Sequence, residues 1–362
     1  VLAPSLAVGA YLVYSVILPH HVPWQAALGI VFWAALAIFL LSIFKIRQKI
    51  FLHFPPSLIA GAIAGIGIFL ICVGLKDLEI LLPDRPFFFR MGKIATIPNA
   101  IALFGLLLFF ILHHFRIASA FLLSILTCWG IALLFGLTPW KGIASLPPSP
   151  LPSLFQLDLI GALNPALWGT LISVILINLF DSTASLTALA RMAHAVDEQG
   201  RIKNLDRLVI PDGVGSLFSS LLGTTTLSFF LESSSGIKTG GRTGITALVA
   251  ALCSLASLFF YPLISSIPLY ASTPALIAIG GFMALEIKKI NWRDWTDYLP
   301  SLLTLLTIPA TFNIYQGFAF GFISFALLKA ITGQWQKIHP ICWGLALIFA
   351  LHLGWAIATN HL

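Results

Sequence analysis

Apolar positions run through this chain in long blocks with no charge inside them. Val1–Phe44, Ile50–Leu75, Ile94–Phe115, Ile117–Trp140, Leu159–Phe180, Thr243–Leu285, Tyr298–Leu328 and Ile338–Leu362 contain no Asp, Glu, Lys or Arg. Each holds one or two helices of the ~20 residues needed to cross a bilayer. Splitting the longer blocks at Pro, Gly and His predicts roughly twelve membrane segments. Runs such as Phe121-Leu122-Leu123-Ser124-Ile125-Leu126 lack the alternation of a barrel strand, so the pattern predicts an all-α polytopic membrane protein.

The expected spans are Trp24–Phe44, Pro56–Leu75, Ile94–His113, Ala118–Gly136, Pro165–Ala190, Leu208–Gly223, Thr246–Tyr261, Ala275–Leu285, Leu299–Phe312, Gly317–Ile331 and Ile341–Trp355. Gly61, Gly65 and Gly67 on the second of these let a neighbouring helix approach closely. Two further segments read as short or broken: Val1–Leu18, interrupted by Pro4 and Gly9, and Leu227–Gly241. The latter lies in Ser219–Thr246, where 17 of 28 residues are Gly, Ser or Thr, too few packing side chains for a continuous helix. Interrupted segments paired in two halves point to a transporter of inverted repeats, with its site where the breaks meet. The Pro-rich stretch Leu146–Pro152 is the expected boundary between the halves. Two spans precede the break in the second half, so the first half is expected to lack two spans ahead of Val1.

Composition agrees: 59% of residues are hydrophobic and 9% charged, against about 25% charged in soluble domains. The net charge of +7 records orientation rather than a nucleic-acid partner. Counting spans places fifteen Lys and Arg, Arg47 and Lys329 among them, on one side. Lys76, Arg85, Arg90, Lys93 and Lys141 fall on the other, and the positive-inside rule makes the first side cytoplasmic. Cys72, Cys128, Cys253 and Cys342 stand singly in apolar segments and read as small hydrophobes. The pairs His20-His21 and His113-His114 lie at span ends, where neighbouring side chains diverge, so no metal site or cofactor is expected.

Three acids remain inside the apolar blocks or their broken segments: Asp181, Asp212 and Glu232. A carboxylate at the bilayer centre costs about 2.5–3.5 kcal/mol even on insertion scales, so an intramembrane acid is a functional candidate. Asp181 reads as a substrate or proton site, the alternative being an anchor for a neighbouring helix's hydroxyl. Glu232, in Leu231-Glu232-Ser233-Ser234-Ser235-Gly236, would stand beside unpaired backbone amides and accept N–H donors from a planar heterocycle. The alternative for it is a helix cap. Asp212, in Pro211-Asp212-Gly213, reads equally as a cap near the cytoplasmic end of its span or as a coupling acid. The Gly-rich stretch lacks the G-x-x-x-x-G-K-[ST] form of a nucleotide loop, and no paired intramembrane acids or G-x-S-x-G nucleophile support an enzyme.

From Leu231 to Gly244 the chain reads Leu-Glu-Ser-Ser-Ser-Gly-Ile-Lys-Thr-Gly-Gly-Arg-Thr-Gly. Here it resembles the AzgA-like permeases for adenine, guanine and hypoxanthine, a branch of the nucleobase/ascorbate (xanthine/uracil permease) superfamily, whose pattern is E-S-x-x-G-x-x-x-G-G-R-T-G. The likeness extends through Leu179-Phe180-Asp181-Ser182, Asp197–Arg201, Asp212-Gly213-Val214-Gly215, Ala64–Phe69 and Phe320-Gly321-Phe322, nearly the whole chain. One segment departs: where the family has A-P-G-x-G-x-N-A-Y, Ser5, Ala7 and Gly9 replace two glycines and the Asn in Ala3–Tyr11.

The resemblance implies fourteen segments in two inverted sevens, with core and gate domains and an elevator-like displacement of the core. Residues 1–145 would then be the remainder of the first repeat (segments 3–7), 146–164 an external connector, 165–335 the second repeat (segments 8–14), and 336–362 an additional apolar segment. It also implies a substrate site of Glu232, Asp181, Ser233, Gly9 and Ala10, with Asp181, Asp212 and Glu232 handling the coupling proton. The expected function is proton symport of a purine nucleobase (adenine, guanine, hypoxanthine or xanthine) across the plasma (inner) membrane. Na+ is the alternative coupling ion, and a homodimer is an allowed assembly. A same-fold carrier of another solute or anion, or an inactive remnant, is the rival reading.

Overall fold

A computed structural model of the chain describes residues 1–47, 54–83, 89–117, 119–196, 202, 205–230, 233–241 and 243–358. In chain order, β1 (Leu2–Pro4) leads into α1 (Leu6–His20), then α2 (Trp24–Ile43), α3 (Pro56–Asp77), the antiparallel pair β2 (Leu81–Pro83) and β3 (Phe89–Met91), α4 (Ile97–His114) and α5 (Ala120–Leu134). After the connector come α6 (Trp168–Met192), α7 (Leu205–Leu221), β4 (Leu227–Phe229), α8 (Ser233–Lys238), α9 (Gly244–Ser265) and α10 (Leu269–Ala284). The chain continues through α11 (Trp295–Thr311), α12 (Ile314–Ile331) and α13 (Pro340–Ala358). Seven helices among the described residues are long and apolar enough to cross a membrane.

Four helices begin three or more residues earlier than hydropathy places them: α7 at Leu205, α10 at Leu269, α11 at Trp295 and α12 at Ile314. Their first turns carry polar residues, which hydropathy discards, and in α11 and α12 side-chain caps stabilise them. Asp294 accepts from Thr296 N ahead of α11, and Asn313 accepts from Tyr315 N ahead of α12. The expected break in Val1–Leu18 also moves. It lies at the start, where Leu2–Pro4 are extended and Ser5 caps α1, accepting from Val8 N at 3.4 Å. Helix then runs through a π-helical stretch at Leu12–Ile17 without ending at Gly9.

The chain divides into two compact units, each drawing on residues from both sides of the connector. The first comprises Val1–Ile66, Pro150–Lys238 and Leu285–Leu362. Its core is built on α2, whose Ile30, Val31, Ala34, Ala35 and Ile38 are fully buried, and on the rings of Phe54, of Phe180 on α6 and of Phe318 and Phe322 on α12. The small residues foreseen on α3 do permit close approach: a Cβ at Gly61 would lie 2.5 Å from the Ser301 carbonyl oxygen of α11. The second unit comprises Gly67–Ser149 and Thr239–Ala284. Its core joins Ile101 of α4, Cys128 and Trp129 of α5 and Ala271 of α10. Ser124 Oγ donates to the Gly105 carbonyl at 2.7 Å, spending its hydroxyl inside the packed interface. Helix α9 turns apolar side chains outward along its length, as suits a lipid solvent.

In the first unit α7 lies so close to α2 that a Cβ on Gly213 would come within 2.8 Å of Phe39 Cα. Backbone cannot yield as a side-chain tip does. Gly213→Val is therefore expected to destabilise the protein by about 1–3 kcal/mol, the usual cost of overpacking. A lower melting temperature of the detergent-solubilised variant checks this, and an unchanged one would contradict the packing.

Candidate substrate site at the paired interruptions

The Gly/Ser/Thr-rich stretch is unwound where the sequence suggests, and its small polar residues explain how it stays so. Backbone groups have no water to bond inside a membrane, so each needs a partner in the protein. β4 pairs antiparallel with β1, with Leu2 opposite Phe229, Ala3 opposite Ser228 and Pro4 opposite Leu227. Ser5 N donates to the Thr226 carbonyl at 2.9 Å. Ser216 Oγ accepts from Leu227 N at 2.9 Å, and Asn178 Nδ2 donates to the Leu227 carbonyl at 2.6 Å. Ser219 Oγ donates to the Thr225 carbonyl at 2.7 Å. The hydroxyls of α7 and the amide of α6 thus replace hydrogen bonds that a continuous helix would make.

Asp181 sits half-buried on α6 beside this crossing, where Ser5 Oγ donates to its Oδ2 at 3.1 Å. Ser5, one of the departures in the family-like segment, is therefore a donor to the candidate carboxylate. Gly9 lies on α1 with Thr225 beside it, a Cβ there meeting Thr225 Cγ2 at 3.6 Å; Ala10 follows and is half-buried. Ser233 opens α8 and is half-buried. Glu232, together with Asp197–Arg201 and Arg242, lies outside the described residues.

Asp212 is neither a cap nor at a helix end. It lies inside α7, fully buried, and its Oδ2 takes two donors: Arg47 Nη1 at 2.7 Å and Ser182 Oγ at 2.9 Å. Neighbouring residues of α6 thus serve different partners, Asp181 receiving Ser5 and Ser182 binding Asp212. Arg47, counted above as a loop charge, is only 2% exposed. The available signal was the lone acid itself, since a buried carboxylate calls for a cation and Arg47 closely follows an apolar span. Lys329 is a second such case. In the last turn of α12 it is 5% exposed by side chain and pairs with Asp294 at 3.1 Å and Asp297 at 2.8 Å, joining the ends of α11 and α12.

Asp294 lies in the turn before α11, and its carboxyl is held down at about 2, first by the Thr296 hydroxyl and then by Lys329. Its unfolded value is near 3.8. A carboxylate with a depressed folded pKa stabilises above the unfolded value and loses that contribution as pH falls through the folded one. Stability should therefore fall between about pH 4 and pH 2. Asp294→Asn should lessen that slope in melting curves taken across the range; an unaltered slope would remove Asp294 as its source.

The sequence profile of a family described as "Permease family" matches residues 1–320. The adenine permease AdeQ of Escherichia coli is 33% identical over 352 residues, covering 97% of this chain and 79% of AdeQ. The guanine/hypoxanthine permease PbuO of Bacillus subtilis is 29% identical over 360 residues, covering 97% of this chain and 83% of PbuO. Among solved structures, the transmembrane domain of the cyanobacterial bicarbonate transporter BicA superposes with a TM-score of 0.67 at 16% identity, covering 88% of this chain and 83% of that one. This last likeness is one of fold.

Proposed function

The chain belongs to the xanthine/uracil permease family, and from that premise we propose that it carries a purine nucleobase into the cell by proton symport. The observation that carries the reading is the crossing of β1 and β4 beside Asp181. Two interrupted segments meet in the first compact unit, with a carboxylate at their junction. Such interruptions in the two halves of a chain are where secondary transporters place substrate. Relatives named for adenine and for guanine/hypoxanthine support a purine as the cargo.

A purine presents ring N–H groups and, in adenine and guanine, an exocyclic amine, all in one plane. Glu232 accepts the N–H donors of the base, and Asp181 binds a further polar edge. Gly9 and Ala10 leave room for the ring on α1, and Ser233 adds a hydroxyl from the start of α8. Asp181, Asp212 and Glu232 are the groups that can exchange the coupling proton. Accumulation then requires only that the protonated, loaded carrier favour a different conformation from the empty one. Two units that each interleave residues from both sides of the connector suit an elevator in which one unit carries the site past the other. A carrier of small anions, the rival within this fold, predicts a neutral or basic residue in the interrupted segment, where this chain has Glu232.

The test is uptake of labelled adenine, guanine, hypoxanthine, xanthine and uracil by the full-length protein in a host stripped of its own purine permeases. Saturable purine uptake that a protonophore collapses is expected. No uptake of any purine would overturn the substrate, and uptake that follows Na+ instead would overturn the coupling ion.

A further inference from the structure

Arg47 and Asp212 form an ion pair that is buried yet incompletely closed. Arg–carboxylate pairs commonly engage both oxygens through two parallel N–H donors. Here a single bond joins Nη1 to Oδ2, while Arg47 Nε and Nη2 and Asp212 Oδ1 are buried with no hydrogen-bond partner among the described residues. The other donor, Ser182 Oγ, also goes to Oδ2. One carboxylate oxygen and two guanidinium nitrogens are thus unpaired among the described residues.

We infer that Arg47 is the positioning residue of proton coupling: it keeps Asp212 as a carboxylate until a proton, entering on the unused Oδ1, takes over the charge compensation. The inference rests on the symport reading above. Arg is suited to the task because it does not give up its own proton, so any proton added to the pair resides on the carboxylate. The protonated Asp212 no longer attracts Arg47, and the α2–α7 contact that the pair ties together is loosened. The surroundings offer few competitors. Among the described residues, the ionisable groups just after α2 are Arg47 and the exposed Lys45; α6 brings Asp181 and Arg191; α7 itself carries Asp206 and Arg207; β1 and β4 bring none; Lys49 and His53 follow Arg47 in sequence outside the described residues. Ser182 links the pair to α6 one residue from Asp181, which places the proton-handling acid next to the substrate-handling one.

The experiment compares the full-length parent with Arg47→Lys, Arg47→Gln and the neutral pair Arg47→Gln/Asp212→Asn. Three quantities are read: uptake against external pH, protonophore-sensitive accumulation, and melting temperature against pH for the purified proteins. Lys can lose its proton and cannot fork, so Arg47→Lys should accumulate base with a shifted pH profile. Arg47→Gln should lose accumulation and pH dependence while still exchanging base for base. Its melting temperature should fall as pH rises, because a lone buried carboxylate must take up a proton to remain buried. The neutral pair should lack that fall with rising pH, keep the acid-side slope that Asp294 sets, and exchange without accumulating.

Parental pH profiles and accumulation in both Arg47 single variants would overturn the inference. So would a neutral pair that still accumulates base while both single variants are missing from the membrane, since the pair would then be a staple only. If the parent moves no purine, the symport reading fails by itself. The melting curves then decide the remaining part: an Arg47→Gln curve parallel to the parent's would show that Arg47 does not hold the charge on Asp212.

Discussion

Glu232→Gln is expected to abolish measurable purine uptake while leaving the amount of protein in the membrane unchanged. In sequence Glu232 stands between β4, which ends at Phe229, and α8, which starts at Ser233, and it lies outside the described residues. An amide is nearly isosteric with the carboxyl, but it carries no charge and turns one acceptor into a donor. Losing one partner of a buried, charged hydrogen-bonded contact costs about 2–5 kcal/mol, or roughly 30-fold to several-thousand-fold in affinity. Direct binding of labelled adenine and guanine to the purified protein measures that loss apart from turnover. Asp181→Asn should weaken binding less, because the Ser5 hydroxyl can still donate to the Asn carbonyl oxygen. Parental affinity in Glu232→Gln would remove this residue from the site and leave Asp181 to carry it.

Arg47→Leu is expected to cost about 3–5 kcal/mol of stability, because it strands an ion in the core. Against the 5–15 kcal/mol that holds a typical protein folded, such a loss sharply lowers the fraction reaching the membrane. Asp212→Leu strands the guanidinium instead and should be comparably damaging. The double variant Arg47→Leu/Asp212→Leu should recover most of the loss, since apolar side chains can replace a buried ion pair at little cost. Melting temperatures of the four proteins form a complete cycle. Additive losses would show that Arg47 and Asp212 do not act on each other, which the 2.7 Å contact forbids.

These pairs mark where linear reading stops. The helices were legible because a bilayer admits few structures: a charge-free block of sufficient length must become a helix with its backbone bonds satisfied internally. The helix starts were less legible, since the first turns of α7, α10, α11 and α12 carry polar groups that hydropathy discards, and the caps of α11 and α12 come from Asp294 and Asn313. The unwound stretch after α7 was visible as a scarcity of packing side chains. Its partner was not, because β1 lies more than 200 residues away from β4 and pairing across such a distance leaves no local periodicity.

The sequence by itself determined the membrane class, the approximate place of most helices, the interrupted segments and the three acids that had to be explained; of the roughly twelve segments expected from hydropathy, seven helices among the described residues are long and apolar enough to cross a membrane. It could do so because each follows from the cost of placing a polar or charged group in hydrocarbon, which is paid residue by residue. Only the tertiary structure decided the partners: Ser5 on Asp181, Arg47 and Ser182 on Asp212, and Lys329 between Asp294 and Asp297. A charge near a span end is solvated by water or buried against a counter-ion according to which helix packs beside it. That choice belongs to pairs of residues 165 positions apart in the case of Arg47 and Asp212, and it is settled by close contacts such as Gly213 on Phe39.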